Sequence, residues 1–328
     1  SRPMTRTFAF FASSLVSAYW NGAATYYRGI VRALAARGHR VTFYEPDAYD
    51  RQAHRDIDDP DYCEVVVYPG NDDGAALSAL ARAMKTADVV VKASGIGVYD
   101  ALLEEAVVAQ RKARHTVIYW DVDAAATLDR LEADPRDAFR EHVRRYDAVF
   151  TYGGGAPLAR RYLRLGAKQC VSIYNALDPT THHPVAPDAR FAGHLGLLAN
   201  RLPDREARVE EFFVRPAIAR PDRAFVLGGN GWDSRALPPN VRRVGHVYTK
   251  DHNAFNASCL AVLNVARDSM AAAGYSPATR VFEAAGAGAC LITDAWEGLE
   301  VFLEPGREVL VAASGDEVAS LLDGLDPA

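Results

Sequence analysis

The sequence predicts an α/β protein built from two doubly wound, Rossmann-like domains that face each other across a cleft. Three observations predict this class. Apolar strand-like runs alternate with amphipathic helical patterns over almost all of the 328 residues, which is typical of parallel sheets covered on both faces. The length is about twice that of an ordinary domain. One stretch rich in Pro, His and Asp interrupts the alternation near the middle of the chain.

The first domain is predicted over residues 1–180. A strand at TRTFAFFAS is followed by an amphipathic helix, NGAATYYRGIVRALAARG, which ends at Gly38. Further strands are predicted at HRVTFYE, CEVVVYP, ADVVVKAS and HTVIYWD, and further helices at GAALSALARAMKTA and YDALLEEAVVAQRKA. The alternation continues through DAFREHVRRY, DAVFTYGGG, APLARRYLRLGA and CVSIYNA.

The second domain is predicted over residues 191–328, after a linker at 181–190. The linker lies in ALDPTTHHPVAPDAR, which has no periodicity. The second series runs through FAGHLGL, REARVEEFFVRPAIA, RAFVLGG, RRVGHV, DHNAFNAS, CLAVLNVA, a helix after SPATR, ACLITD, GLEVFLE, EVLVA and GDEVASLLDGL. In tandem doubly wound domains a ligand binds at the carboxyl ends of the strands.

Composition limits the possible partners. A formal net charge of −5 and a pI near 6.0 argue against nucleic acid or an acidic membrane as the main partner. The four cysteines form no C-x-x-C pair, which indicates free thiols in a reducing compartment. TFAFFASSLV lacks a signal-peptide exit, and no apolar run reaches the length of a membrane span. We therefore expect a cytoplasmic protein that acts on a small molecule or a glycan.

The stretch SPATRVFEAAG suggests a nucleotide site. Ser276 is a good N-cap and Pro277 suits the first helical position, so the helix is predicted to begin there. Arg280 then lies in the first turn, where the helix dipole favours anions, and could grip a phosphate. Glu283, one turn later, suits the vicinal hydroxyls of a ribose. The alternative interpretation is an ordinary Arg–Glu pair on a solvated helix face.

The segment GYSPATRVFEAAGAGACLITDAWEGLEVFLEPGREVLVA resembles the donor-binding segment of the CgeB-like glycosyltransferases, a family of the GT-B class. ALDPTTHHP resembles their interdomain linker, and FAGHLGLLANRLPDR their first strand and phosphate loop in the second domain. NVRRVGHVYTKDHNAFNASCLAVLNVARDSM is similar to their base-binding region. The resemblance implies transfer of a sugar from a nucleotide diphosphate donor, without a metal or another cofactor.

The resemblance also implies a set of donor-binding residues. Glu283 would bind the ribose, and Arg280 with the backbone N–H groups from Ser276 onward would face the diphosphate. Other expected donor contacts are Tyr275, Thr279, Asn200, Arg201, Arg205, His246, Val247 and Tyr248. Trp296 follows the last core strand near the expected sugar position, and a packing role is the competing interpretation for it. Many retaining GT-B enzymes carry an acidic residue eight positions before the ribose-binding one. Tyr275 occupies that position here, so the stereochemical outcome stays open.

The acceptor side is expected in the first domain. YWDVD places Asp121 and Asp123 at the carboxyl end of a strand, and we assign Asp123 as the candidate base with Asp121 beside it. Aspartates that end a strand or cap a helix are the competing interpretation. Asn21 and Gly22 lie at the first strand-to-helix turn, where backbone could approach donor or acceptor. The adjacent histidines at 182 and 183 lack further ligands at metal spacing, so no metal site is predicted.

Two other functions have support in the sequence. VVVKASGIGVYD places Gly95 and Gly97 after a strand, and Asp121 follows where a dinucleotide fingerprint has its ribose-binding acid. That pattern predicts an NAD-dependent oxidoreductase, although Asp100 replaces the third glycine. A catalytically silent nucleotide-sugar-binding protein is the third possibility. GT-B proteins usually continue with a helix that returns to the first domain, and the sequence stops soon after ASLLDGLDPA.

Overall fold

The computed structural model describes residues 4–325 and divides the chain into two compact units. Unit 1 is Ser1–Tyr174 and unit 2 is Asn175–Ala328. The segment 181–190, expected to link the domains, belongs to unit 2. Within the described residues, no helix combines the length and apolar character that crossing a membrane requires.

Unit 1 is a seven-stranded, fully parallel sheet in the order β3-β2-β1-β4-β5-β6-β7. The strands are β1 (Thr7–Phe11), β2 (Arg40–Asp47), β3 (Glu64–Pro69), β4 (Val89–Ala93), β5 (Thr116–Asp121), β6 (Ala148–Thr151) and β7 (Cys170–Ser172). The α-helices are α1 (Ala24–Ala36), α2 (Asp73–Thr86), α3 (Asp100–Gln110), α4 (Ala124–Ala133), α5 (Phe139–Val143) and α6 (Gly155–Arg164).

Unit 2 contains a six-stranded parallel sheet in the order β10-β9-β8-β11-β12-β13. Its strands are β8 (Gly193–Leu198), β9 (Phe225–Gly228), β10 (Val241–Gly245), β11 (Cys259–Asn264), β12 (Leu291–Asp294) and β13 (Leu310–Ala312). Its α-helices are α7 (Glu206–Val209), α8 (Arg215–Ala219), α9 (Thr249–Ser258), α10 (Asp268–Ala273), α11 (Thr279–Gly286) and α12 (Gly315–Asp323). A π-helical turn, Glu210–Val214, joins α7 to α8.

The central strands are buried on both faces, as their continuous apolar runs predict. Every residue of β4 is buried, and so is nearly every residue of β5. The prediction of two doubly wound domains is confirmed. Helices α4 and α10 were not predicted: α4 directly follows the loop that holds Asp123, and α10 has only six residues.

The strand order defines where each unit can bind a ligand. In unit 1, β1 lies between β2 and β4, and in unit 2, β8 lies between β9 and β11. In open α/β sheets the crevice beyond the carboxyl ends of the strands at such a switch point accepts ligands. The loops after β8 and β11, together with the start of α11, therefore form the expected ligand site of unit 2.

Glu104, on α3, makes the stability of unit 1 depend on pH. The residue is 7% exposed, and burial raises the pKa of its carboxyl to about 7. The folded chain then keeps a proton that the unfolded chain loses above its ordinary pKa of 4.5. Stability should therefore fall as the pH rises from 4.5 to 7. Glu104→Gln should be neutral at low pH and stabilising by about 3 kcal/mol at pH 8.

Thermal unfolding across this pH range checks the prediction. Glu105→Gln is the matched control, because Glu105 is the exposed neighbour on the same helix. An equal response of the two variants at every pH would contradict the assignment to Glu104.

Candidate functional site

Helix α11 begins later than the sequence predicts. Its first residue is Thr279, and the N-cap is Ala278, whose side chain makes no capping hydrogen bond. The predictions of Ser276 as N-cap and Pro277 as the first helical residue are therefore wrong. The hydroxyl of Ser276 donates to the carbonyl of Gly274 instead, and the carbonyl of Pro277 accepts a hydrogen bond from Asn175. The sequence showed suitable residue types but not these competing partners.

Arg280 lies in the first turn of α11, as predicted, and pairs with Glu283. Its Nη1 is 2.6 Å from Oε2 of Glu283. The side chain of Glu283 is 1% exposed, so this is not a solvated surface pair. Thr279 is buried and donates its hydroxyl proton to Oδ1 of Asn175. A buried carboxylate at the start of a helix requires compensating partners, because an isolated buried charge is costly.

Two buried histidines also face Glu283. Nε2 of His182 lies 3.6 Å from Oε1 of Glu283, and Nδ1 of His252 lies 3.5 Å from Oε2. The two ring nitrogens are 3.3 Å apart. The three side chains converge closely enough to hold a metal ion. His182 belongs to the segment before β8 and His252 to α9, so three separate segments meet at this cluster.

A group of arginines lies at the switch point of unit 2. Burial, and the positive charges of Arg267 and Arg280, lower the pKa of Arg205 to about 10. The Nε of Arg205 is buried and has no hydrogen-bond partner among residues 4–325, while its Nη1 donates to the carbonyl of Asn200. Asp204 holds Arg267 through a 3.0 Å ion pair. Positive charges that repel one another around a buried N–H group form a site suited to an anion.

The other predicted residues after β8, Asn200 and Arg201, bind partners within unit 2. Arg201 forms an ion pair with Glu206 at 3.1 Å. Asn200 accepts hydrogen bonds from the backbone N–H and the side chain of Asn230 through Oδ1. Of the two arginines expected here, the structure therefore favours Arg205 as the group that faces a ligand.

The predicted base-binding residues join β10 to α9. The rings of His246 and Tyr248 meet edge to face, with centroids 4.5 Å apart. Val247 is buried in a core cluster with Phe255, and its carbonyl accepts a hydrogen bond from Nε2 of His252. Val247 could therefore contact a base only through its backbone, whereas His246 and Tyr248 offer ring faces and edges.

Tyr275 and Trp296 pack inside unit 2. Tyr275 has a left-handed backbone, with φ of 50°, and its N–H donates to the carbonyl of Glu297. Its ring covers Gly298, where a Cβ atom would come within 2.3 Å of the ring. Trp296 is buried, and its Nε1 donates to Thr293. Trp296 has the contacts of a packing residue.

In unit 1 the two candidate carboxylates have different environments. Asp121 ends β5 and is fully buried, and burial raises the pKa of its carboxyl. It accepts hydrogen bonds from the hydroxyl of Tyr162 at 2.5 Å and from the backbone N–H of Asp123 at 2.9 Å. Asp123 is half-buried at the start of α4 and lies over Gly95, where a Cβ atom would be 2.9 Å from Oδ2. Asp121 therefore positions Asp123.

The first strand-to-helix turn is ordered by Asn21. Asn21 is buried, accepts from Ser13, and donates to the carbonyls of Ser14 and Ser17. Gly22 follows it, and open space surrounds the position of its absent Cβ. Asn21 thus shapes the loop, and Gly22 is the member of the pair that could be approached by a ligand.

The turn at Gly95 and Gly97, predicted to bind a dinucleotide, is occupied by the side chain of Asp100. Asp100 accepts hydrogen bonds from the backbone N–H groups of Ile96 and Gly97 at 3.2 and 2.8 Å. It also forms a 2.7 Å ion pair with the buried Lys92. A pyrophosphate would need those same N–H groups. This carboxylate therefore competes directly with the NAD hypothesis.

Sequence reasoning missed His252 and Arg267. Each is far along the chain from its partners, and neither stands in a motif with a recognised spacing. The only local signal was position, since Arg267 follows β11 and His252 lies in a helix beside the predicted base-binding loop.

Comparisons with known proteins agree with this architecture. Residues 205–327 match the family described as glycosyl transferase-like. Sucrose-phosphate synthase from Thermosynechococcus elongatus is similar in structure, with a TM-score of 0.68 and 15% identity over 97% of this chain and 88% of that chain. Anabaena HepE in complex with UDP and glucose gives a TM-score of 0.65 and 14% identity over 97% of this chain and 89% of that chain.

The catalytic domain of starch synthase IV from Arabidopsis thaliana, bound to ADP and acarbose, also matches. Its TM-score is 0.65, with 12% identity over 98% of this chain and 91% of that chain. A search of the curated proteins gave no significant match. The structural likenesses show the fold, and the family match covers most of unit 2. The chain therefore has the GT-B fold, and residues 205–327 of its second unit form a glycosyl transferase-like domain.

Proposed function

We propose that the protein transfers a sugar from a nucleoside diphosphate sugar to a hydroxyl-bearing acceptor, as a member of the CgeB-like group. The observation that carries the proposal is the arginine cluster at the switch point of unit 2. Arg205 offers a buried N–H that has no hydrogen-bond partner in the described part of the chain, and Arg267 and Arg280 add positive charge beside it. UDP and ADP are bound by structural neighbours, which supports a diphosphate as the anion.

The arginine cluster supplies the chemistry that the leaving group needs. When the bond between sugar and diphosphate breaks, negative charge develops on the diphosphate. Fixed cationic groups stabilise such charge, and they cost no reorganisation at the moment of reaction. Arg205 and Arg280 would bind the diphosphate, with the N–H groups at the start of α11 as additional donors. On this basis the transfer step itself needs no metal.

Turnover of the donor tests this function. Incubation with UDP-, GDP-, dTDP- and ADP-sugars should release the nucleoside diphosphate from one of them, to water if no acceptor is present. The rate should be the same with or without added Mg²⁺ or Mn²⁺. No release from any donor, with nucleotide binding intact, would favour the catalytically silent alternative.

Glu283 is proposed to bind the ribose of the donor. Its carboxylate is fixed by Arg280 at 2.6 Å and can accept from vicinal hydroxyls. Glu283→Gln should weaken binding of the preferred nucleoside diphosphate about tenfold, because a hydrogen bond to a charged group contributes about 1.5–3 kcal/mol. The 2′,3′-dideoxy analogue, which lacks both vicinal hydroxyls, should bind the wild type and the variant equally. Calorimetric titration of the four combinations gives the result, and an unchanged preference for the ribonucleotide in the variant would exclude this role.

The acceptor is proposed to meet its base in unit 1. Asp123 is the half-buried carboxylate beside the Gly95 turn, and Asp121 fixes its backbone through a 2.9 Å hydrogen bond. A direct displacement needs a group that accepts the hydroxyl proton. Asp123 suits that role because it reaches the surface of unit 1, whereas Asp121 does not.

A further inference from the structure

We propose that His182, His252 and Glu283 form a Zn²⁺ site within unit 2. The three side chains are between 1 and 2% exposed, and their ligand atoms lie 3.3 to 3.6 Å apart. The two distances to Glu283 reach its two different oxygens, and one ligand atom from each residue can be chosen so that all three lie within 4.8 Å of one another. Zinc–nitrogen and zinc–oxygen bonds are about 2.0–2.2 Å long, so a small shift of the side chains would bring both ring nitrogens and one oxygen of Glu283 onto the ion.

The hydrogen bonds around the two rings leave lone pairs directed into the cluster. Nε2 of His252 lies 3.3 Å from the carbonyl of Val247, and a carbonyl can only accept, so this nitrogen carries the proton. Nδ1 of a neutral His252 is then an acceptor. Neutral imidazole nitrogens of this kind bind zinc, and their other N–H group usually donates to a carbonyl or a carboxylate.

His182 is oriented in the same way. The hydroxyl of Thr181 donates its only proton to the carbonyl of Asp178, at 3.2 Å. It must then accept from Nδ1 of His182, 2.9 Å away. Nε2 of a neutral His182 therefore presents a lone pair to Nδ1 of His252 and to Oε1 of Glu283. A cation between these three converging groups would compensate the burial of their lone pairs and of the carboxylate charge.

The donor set selects the type of ion. Two imidazoles and one carboxylate match the ligands of zinc sites, whereas Mg²⁺ and Ca²⁺ prefer oxygen ligands. Oε1 of Glu283 faces His182, so zinc can take this oxygen while Oε2 keeps its contact with Arg280. The ion would join the segment before β8 to α9 and α11 and would fix the orientation of Glu283. This site differs from the expectation of no metal, and it is distinct from the proposed diphosphate site.

Metal analysis of the full chain tests the proposal. Protein purified without chelator should contain about one zinc per chain, or should take up one equivalent of added Zn²⁺ after dialysis against dipicolinate. His182→Ala and His252→Ala should each lose this zinc. His183→Ala is the matched control and should keep it, because His183 is the exposed adjacent histidine whose Nδ1 contacts the carbonyl of Pro184.

Two measurements on the wild type keep the test valid if the alanine variants fail to fold. Removal of zinc should lower the melting temperature by several degrees, and Zn²⁺ but not Mg²⁺ should restore it. Co²⁺ added to the metal-free protein should give the visible absorption of a four-coordinate site. Wild-type protein that binds less than about a tenth of an equivalent of Zn²⁺ and shows no thermal response would overturn the proposal. Nucleotide titration of the same samples separates its failure from that of the proposed function.

Discussion

Arg205→Gln is expected to weaken nucleoside diphosphate binding by about a hundredfold while raising the melting temperature of the ligand-free protein. Binding falls because the variant loses charged hydrogen bonds to phosphate, each worth about 1.5–3 kcal/mol. Stability rises because the wild-type guanidinium is desolvated and repelled by Arg267 and Arg280, which together lower its pKa to about 10. Opposite changes in binding and stability are typical of residues retained for function.

Calorimetric titration and thermal unfolding of the same preparations measure both effects. Arg215→Gln is the control, since Arg215 is an exposed arginine of unit 2 that pairs with Glu211 and Asp316. It should change neither nucleotide affinity nor, beyond a few tenths of a kcal/mol, stability. If the Arg205→Gln variant is destabilised and still binds nucleotide with wild-type affinity, Arg205 is a structural residue.

Asp123→Asn is expected to reduce sugar transfer by about 10²–10⁴-fold with little change in nucleotide affinity. The asparagine side chain has the same shape but cannot accept a proton. The diphosphate-binding residues proposed above, Arg205 and Arg280, are in unit 2 and Asp123 is in unit 1, so donor binding should be preserved. Initial rates of nucleoside diphosphate release, measured with the donor found in the screen, give the size of the effect.

Asp121→Asn provides the comparison. Asp121 is buried and accepts from Tyr162 and from the N–H of Asp123, so its substitution should mainly lower the melting temperature. Equal rates for wild type and Asp123→Asn would exclude Asp123 as the base. A rate loss accompanied by a matching loss of nucleotide affinity would also contradict the assigned role.

Much of the fold could be predicted from the sequence because its strands are buried on both faces. Apolar runs such as VVVKA and TVIYWD predict buried parallel strands, and their alternation with helices predicts doubly wound sheets. The start of α11 could not be predicted in the same way. Ser276 is a good cap by residue type, yet its hydroxyl is taken by the carbonyl of Gly274, two residues away.

The candidate site could be predicted only where its residues share a segment. Arg280 and Glu283 are three residues apart, so their pairing follows from helix geometry. His252 reaches His182 across 70 residues, and no spacing rule connects them. Arg201 and Arg205 were equivalent in the sequence, and their roles are separated by the ion pair of Arg201 with Glu206 and by the buried Nε of Arg205. Contacts between distant segments decide such cases.

Calorimetric titration of the full chain with UDP, GDP, dTDP, ADP and NAD tests the central claim most directly. We expect one nucleoside diphosphate to bind at one site per chain, with no measurable heat from NAD. That result would also identify the donor base. Binding of NAD alone would contradict the account and would show that Gly95, Gly97 and Asp121 form the nucleotide site despite the carboxylate of Asp100.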